Sequence, residues 1–265
     1  MNLIFTITNG LGIGDNIRGV ISLLQICSKI KSTKDITILV DFSKHRINKY
    51  LLNKLPDELL ETEENKEIKN FHYADEDFHD NEIIDFLLNS QANIVRINTN
   101  NFPDVNYLNE EIKTFIKNLF VFDLEFEKLL NSYFNVLPET YHLYHYRFGD
   151  HVLLKNDNNR DQIKHFVENF KINKKNGTCV IISDSLLFKR YIYEFYKNKE
   201  VFVFLTKPTH TSYDTVESEH DVNILIDFML ITKAESINCY SSYRWISNFI
   251  LWTSYVYNVP LFNMK

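Results

Sequence analysis

Several short stretches of this chain combine residue types and spacing suited to holding an anion, and one of them organises the rest. Tyr141 to Asp150 reads Tyr-His-Leu-Tyr-His-Tyr-Arg-Phe-Gly-Asp. It begins as an alternating, aromatic-rich strand and ends in a polar turn, His145-x-Arg147-x-Gly149-Asp150. A strand fixes the backbone, Gly149 permits a tight bend, and Arg147 presents a planar fork of donors that matches phosphate oxygens. The plainer account of the same residues is a strand-end arginine paired with Asp150 on the surface.

Four further stretches carry related chemistry. Asn9-Gly10-Leu11-Gly12-Ile13-Gly14-Asp15 holds half of the chain's 6 glycines. Ser183-Asp184-Ser185 and Ser241-Ser242 each follow an apolar run and precede a helical pattern. A helix start there offers free amides to a phosphate, although a serine or aspartate at such a place also serves as a simple N-cap. The same plain account applies to Asp15. Asp227 lies inside the apolar pattern Ile224-Leu-Ile-Asp-Phe-Met-Leu230, where an unpaired carboxylate is costly. It either pairs internally or accepts hydrogen bonds from a ligand.

The elements that must position these groups alternate. Leu3–Thr8 is an apolar, β-branched strand, the glycine turn follows, and a helical pattern runs from Asn16 to Ile30 before a second strand, Asp35–Asp41. That is a βαβ unit, whose ligands bind at strand carboxyl ends. Residues 48–80 are acidic and irregular. Ile83–Leu88 is expected to be helical, Ala92–Ile97 a strand, and Leu108–Leu119 and Leu124–Tyr133 two helices, with Val136–Thr140 as a linker. The second half repeats the alternation: strands at 141–148, 178–183, 201–205 and 236–240, and helices at 160–170, 185–196, 221–233 and 243–257. The expected architecture is α/β, two Rossmann-like domains facing each other across a cleft, residues 1–137 and 138–265.

Composition narrows the class. With 265 residues, 45% of them apolar and 24% charged, the chain is long enough for substantial cores and too apolar for disorder. A net charge of -6 argues against a nucleic-acid partner. Cys27, Cys179 and Cys239 sit in apolar patterns without a CxxC spacing, which suits reduced core thiols. Met1–Thr8 lacks the basic flank of a secretory leader, and the apolar stretch 245–257 is short and interrupted by Ser247, Asn248, Thr253 and Ser254. No integral membrane segment and a cytoplasmic location are therefore expected.

Taken in order, the motifs resemble those of the GDP-fucose-dependent fucosyltransferases of the alpha-1,2, alpha-1,6 and nodulation types and of the protein O-fucosyltransferases. Their His-x-Arg-Arg-(Gly/Thr)-Asp motif is similar to His145, Arg147, Gly149 and Asp150, with Phe148 in place of the second arginine. Their Ser/Thr-Asp-Asp strand end resembles Ser183-Asp184-Ser185, and their acidic helix followed by paired serines resembles Asp227 through Ser241-Ser242. Gly10-Leu11-Gly12 and Leu39-Val40-Asp41 look like the family's first turn and next strand. The resemblance implies a GT-B glycosyltransferase, an inverting one, without metal or cofactor. The acceptor site lies mainly in the first domain, and a GDP-sugar, GDP-fucose above all, is held mainly in the second. Arg147 then holds the pyrophosphate, Ser241 and Ser242 support the β-phosphate, and His145 and Asp227 contact the guanosine with Asp184 nearby. Gly12, Gly14 and Arg18 fall on the donor side as well. For the general base, Asp15 is the first candidate and Asp157, near Lys155, the second. The partner is a glycan acceptor. Two rivals stay open: a UDP- or other nucleotide-sugar donor on the same fold, and a nucleotide- or glycan-binding module without catalysis. Asp75-Glu76-Asp77 mimics a metal-binding Asp-x-Asp motif but lacks a preceding apolar strand, so a solvated loop is expected there.

Overall fold

The computed structural model describes residues 1–8, 11–56, 58–59, 65–73, 77–149, 151–152, 159–196, 200–206 and 219–264. The chain forms two compact units, Met1–Asp123 and Leu124–Lys265. The expected boundary after residue 137 lies beyond helix Leu124–Phe134, which belongs to the second unit. That helix is tied there by the Tyr133–Phe204 edge contact, 5.5 Å between ring centroids, and by the Lys233 ammonium 4.1 Å over the Phe134 ring.

The first unit is built on β1 (Asn2–Thr6), α1 (Ile13–Ile30), β2 (Thr37–Asp41), β3 (Lys66–Phe71), α2 (Asp80–Asn89), β4 (Ile94–Thr99) and α3 (Glu110–Leu119). Its four strands are all parallel, in the order β2-β1-β4-β3. Leu3, Ile4 and Phe5 are fully buried, as a parallel strand covered on both faces must be. Helix α1 buries Val20, Ile21, Leu23 and Ile26, and it lies so close to the sheet that a Cβ at Gly19 would overlap the Thr99 carbonyl oxygen. Strand β3 was not expected. Only Phe71 is buried and Ile68 is 64% exposed, so no period-2 pattern marks it. The open edge of β4 recruits it instead.

The second unit comprises α4 (Leu124–Phe134), β5 (His142–Arg147), α5 (Arg160–Asn173), β6 (Cys179–Ser183), α6 (Leu186–Phe195), β7 (Val201–Val203), α7 (Glu219–Thr232), β8 (Ser236–Ser241), α8 (Asn248–Tyr257) and β9 (Leu261–Asn263). The sheet order is β7-β6-β5-β8-β9, again wholly parallel, with β5 at the centre. Alternation along β5 sends Tyr144, Tyr146 and then Phe148 into an aromatic core with Phe166, Phe170 and Phe188. Leu143, His145 and Arg147 point the other way. Helices α7 and α8 pack on each other through Phe228, Phe249 and Tyr257, apart from that aromatic core. All three cysteines are buried and free. Among the described residues no helix is long and apolar enough to cross a membrane.

One buried ion pair spans the first sheet. The Arg96 guanidinium on β4 meets the Asp41 carboxylate on β2 at 2.6 Å and donates to the Leu59 carbonyl at 2.9 Å. Replacing Arg96 by Met should destabilise the first unit by about 3–5 kcal/mol, because Asp41 is left as an uncompensated buried charge. The double replacement Arg96→Met with Asp41→Leu should cost less than the single one. Chemical denaturation of the wild type and the two variants checks the order.

Candidate functional site

Parallel pairing brings the chemistry-bearing ends of β5, β6 and β8 to one edge of the second sheet. The register sets Arg147 beside Ser241 and Tyr146 beside Ser183, with Asp184 the next residue on. Asp184 then closes the arrangement. Its Oδ1 accepts from the Phe148 amide at 2.7 Å, and its Oδ2 accepts from the Gly149 amide and from Arg147 Nη1, both at 2.9 Å. Gly149 sits at φ +121, and a side chain there would meet the Tyr243 hydroxyl and the His151 ring. The tight bend thus needs glycine for both conformation and space.

The paired serines complete the turn from the other flank. Ser242 donates its amide to the Arg147 carbonyl at 2.9 Å and its hydroxyl to the Phe148 carbonyl at 2.6 Å, while Ser241 Oγ accepts from the Tyr243 amide at 3.1 Å. The last helix was expected to begin at residue 243, with its free amides beside these serines. It begins at Asn248, after the N-cap Ser247. The reason is local: Ser242 prolongs the pairing with β5, and the Tyr243 and Trp245 rings stack nearly parallel, their centroids 5.1 Å apart, before the helix starts. Asp184 is likewise not a cap. Ser185 takes that role, accepting from the Phe188 amide at 3.1 Å.

Burial sets the charge states. Burial pushes the Asp184 carboxyl up, and the Arg147 charge with the two amides pulls it back. His145 is buried beside Cys239, its Nδ1 3.5 Å from Sγ, and burial, reinforced by Arg147, lowers it from 6.5 to about 3. It is therefore neutral at physiological pH. Phe148, where the resemblance has a second arginine, is fully buried with its ring 4.4 Å from that of Phe166. This position faces the core and not the charged edge.

Asp227 keeps partial exposure, yet its Oδ1 is buried without a hydrogen-bond partner among the described residues. Burial raises its carboxyl and Lys189 opposes the shift. Lys189 was missed at the sequence level. It is only 1% exposed, and its Nζ donates to the Thr206 carbonyl at 3.1 Å and to its hydroxyl at 3.3 Å. The available signal was its place on the apolar face of α6 with Phe188 and Ile192.

The remaining candidates lie in the first unit. Gly12 is the N-cap of α1, without a side-chain cap bond, and Gly14 is buried in the first turn. Asp15 is therefore not the cap. It pairs with Arg18 at 3.5 Å, and the Arg18 guanidinium lies 4.1 Å over the Phe102 ring. Asp150, Lys155, Asp157, Gly10, Asp75 and Glu76 lie outside the described residues. Asp77 is exposed, and among the described residues no three His, Cys, Asp or Glu side chains gather as a metal would require.

No protein-family model and no curated protein matches the sequence. Solved structures do match. The alpha-1,6-fucosyltransferase NodZ soaked with GDP-fucose aligns at a TM-score of 0.57 with 12% identity, over 98% of this chain and 93% of that one. A mutant of FUT1 from Arabidopsis thaliana in complex with GDP aligns at 0.56 with 12% identity, over 99% and 69%. POFUT1 in complex with GDP-fucose aligns at 0.52 with 9% identity, over 100% and 97%. The chain has the GT-B fold class of these proteins, two α/β units each built on a wholly parallel sheet.

Two outcomes follow from the Arg147 turn. Asp184→Asn should destabilise the protein by about 2–3 kcal/mol, since a partly exposed guanidinium and two buried amides lose their anionic acceptor; urea denaturation reads this as a lower midpoint at constant slope. Below pH 6.5 the unfolded chain takes up a proton that folded His145 refuses. Stability should therefore fall between pH 6.5 and 3 by up to about 1.4 kcal/mol per pH unit for this group. His45, lowered to about 4 by burial and Arg46, adds its own share. His145→Gln should flatten the acid limb by one proton's worth and leave the rest.

Proposed function

We propose that this chain is a glycosyltransferase that moves fucose, or another sugar, from a GDP-sugar to a hydroxyl of a glycan, without a metal ion. The observation that carries the reading is the Arg147 turn. A guanidinium is held by a buried carboxylate at the carboxyl edge of a parallel sheet, beside two serines from the neighbouring strand. That edge is where open α/β sheets bind ligands. The likeness to folds solved with GDP and GDP-fucose bound supports the choice of nucleotide.

In an inverting transfer the acceptor oxygen attacks the anomeric carbon, and the bond from that carbon to the β-phosphate oxygen breaks. The electron pair leaves on the diphosphate, and the hydroxyl proton passes to a base. Charge then builds on the leaving group, where Arg147 offers a fixed counter-charge that needs no reorganisation. Neutral His145 is suited to hydrogen bonding with the nucleoside and not to pairing with phosphate. Asp15 is the proposed base: a carboxylate in the first turn of α1 with 30% of its side chain exposed. The Phe148 ring in the core leaves Arg147 without an adjacent arginine, which keeps a UDP- or other nucleotide-sugar donor as the second reading.

A thermal-shift series with GDP, UDP, ADP and GDP-fucose, with and without EDTA, tests this. Binding to the folded form raises the melting temperature by mass action, so the expected result is a GDP-selective shift indifferent to EDTA. Selectivity for UDP would move the donor assignment, and no shift with any nucleotide would sink the reading. Arg147→Lys keeps a charge opposite Asp184 but loses the two-pronged fork. It should leave the empty protein's melting temperature nearly unchanged while weakening GDP binding by about tenfold or more.

A further inference from the structure

The chain has two tryptophans, and they stand in opposite environments. Trp252 on α8 is buried, whereas Trp245, in the turn after β8, is 56% exposed. Indoles are highly buried on average, so an open one in a fixed position is informative. This one is fixed. Its ring stacks on that of Tyr243, 4° from parallel with centroids 5.1 Å apart. Tyr243 is in turn fastened to the Arg147 turn. Its amide donates to Ser241 Oγ at 3.1 Å, and its hydroxyl lies so close to Gly149 that a Cβ there would stand 2.9 Å from it. One face of Trp245 is thus spent on Tyr243, and its open surface is held next to a turn suited to an anion. Ordering an aromatic ring before the ligand arrives removes the cost of ordering it on binding.

We propose that Trp245 is a ligand-binding residue of the nucleotide-sugar site, and that its open face takes the C–H-rich face of the transferred sugar. The inference rests on the nucleotide-sugar reading above and adds to it which end of the donor lies where. Order along β5 and its turn favours the sugar over the base. His145, suited to the nucleoside, precedes Arg147 by two residues, and Gly149, against which Tyr243 rests, follows it by two. Arg147 therefore stands between the nucleoside end and the Tyr243–Trp245 stack. Extended chain advances about 3.3 Å per residue, so His145 and Gly149 lie up to about 13 Å apart, enough to keep base and sugar on opposite sides of a diphosphate. The chemistry of the ring agrees. An indole face carries partial negative charge, so it attracts the polarised C–H bonds of a pyranose or of its methyl substituent and repels a diphosphate. Arg147 answers the anion, and Trp245 answers the neutral part of the same ligand.

The test compares GDP with GDP-fucose, and UDP with UDP-glucose, on the full chain by calorimetry and by acrylamide quenching of tryptophan fluorescence. Acrylamide reaches an exposed indole and spares a buried one, so Trp245 carries the quenching and Trp252 is the internal standard. In the wild type the nucleotide sugar should protect Trp245 from acrylamide, and the bare nucleotide should not. Trp245→Ala should weaken nucleotide-sugar binding by about fivefold to tenfold while changing nucleotide binding by less than about twofold. Trp245→Phe, which keeps a smaller ring, should fall between. Both variants should melt close to the wild type, because the side chain they replace is exposed. Equal losses for nucleotide and nucleotide sugar, no loss for either, or protection by the bare nucleotide overturns the proposal. So does binding of both members of a pair with no protection by the sugar, and the nucleotide reading then survives. Failure of the wild type to bind any of the four ligands overturns the nucleotide reading, and this proposal falls with it.

Discussion

The Asp184 carboxylate is the constraint on which the second unit's polar edge depends. Strand β5 ends by turning sharply at Gly149, and a strand that turns away from its sheet leaves amides without ladder partners. Asp184 takes two of them, from Phe148 and Gly149, and holds Arg147 with the oxygen that serves Gly149. From the opposite flank Ser242 donates to the carbonyls of Arg147 and Phe148. The turn is therefore a joint product of β5, β6 and β8. None of these strands could shape it alone.

Alternation along β5 separates two environments that would otherwise conflict. On one face, Tyr144, Tyr146 and Phe148 meet Phe166, Phe170 and Phe188 in edge-on and tilted ring contacts, which anchor the strand by area and by ring geometry. On the other face lie neutral His145 and charged Arg147. At this edge the Arg147 charge is answered by Asp184, and the buried Lys189 ammonium donates to Thr206. Burying such groups is costly unless each charge is answered. Here the answers come from different elements, which ties the chemistry of the edge to the packing of the whole unit.

Much of the fold was legible because strong periodicity is a local property. The strands around 142–147 and 179–183 and the helices around 13–30, 80–89 and 124–134 follow from their apolar patterns. What escaped was decided by pairing. Strand β3 has no alternation and exists because β4 offers an edge; β9, three residues long, exists because β8 does. The start of α8 was displaced by the pull of Ser242 toward β5, and α4 joined the second unit through contacts with Phe204 and Lys233 that no spacing foretells.

For the site, the sequence alone determined the residue types and the local turn: an arginine at the end of an aromatic strand, a glycine able to take positive φ, an aspartate after a buried strand, paired serines after another. Only the tertiary structure decided their partners. Asp184 serves amides 36 and 35 residues earlier, and Ser242 serves a carbonyl 94 residues earlier. Register across parallel strands sets such pairings, and register is a collective outcome of the sheet and its helices. The same holds for Lys189, an unremarkable lysine in a helical pattern until the fold buries it and turns its ammonium onto Thr206.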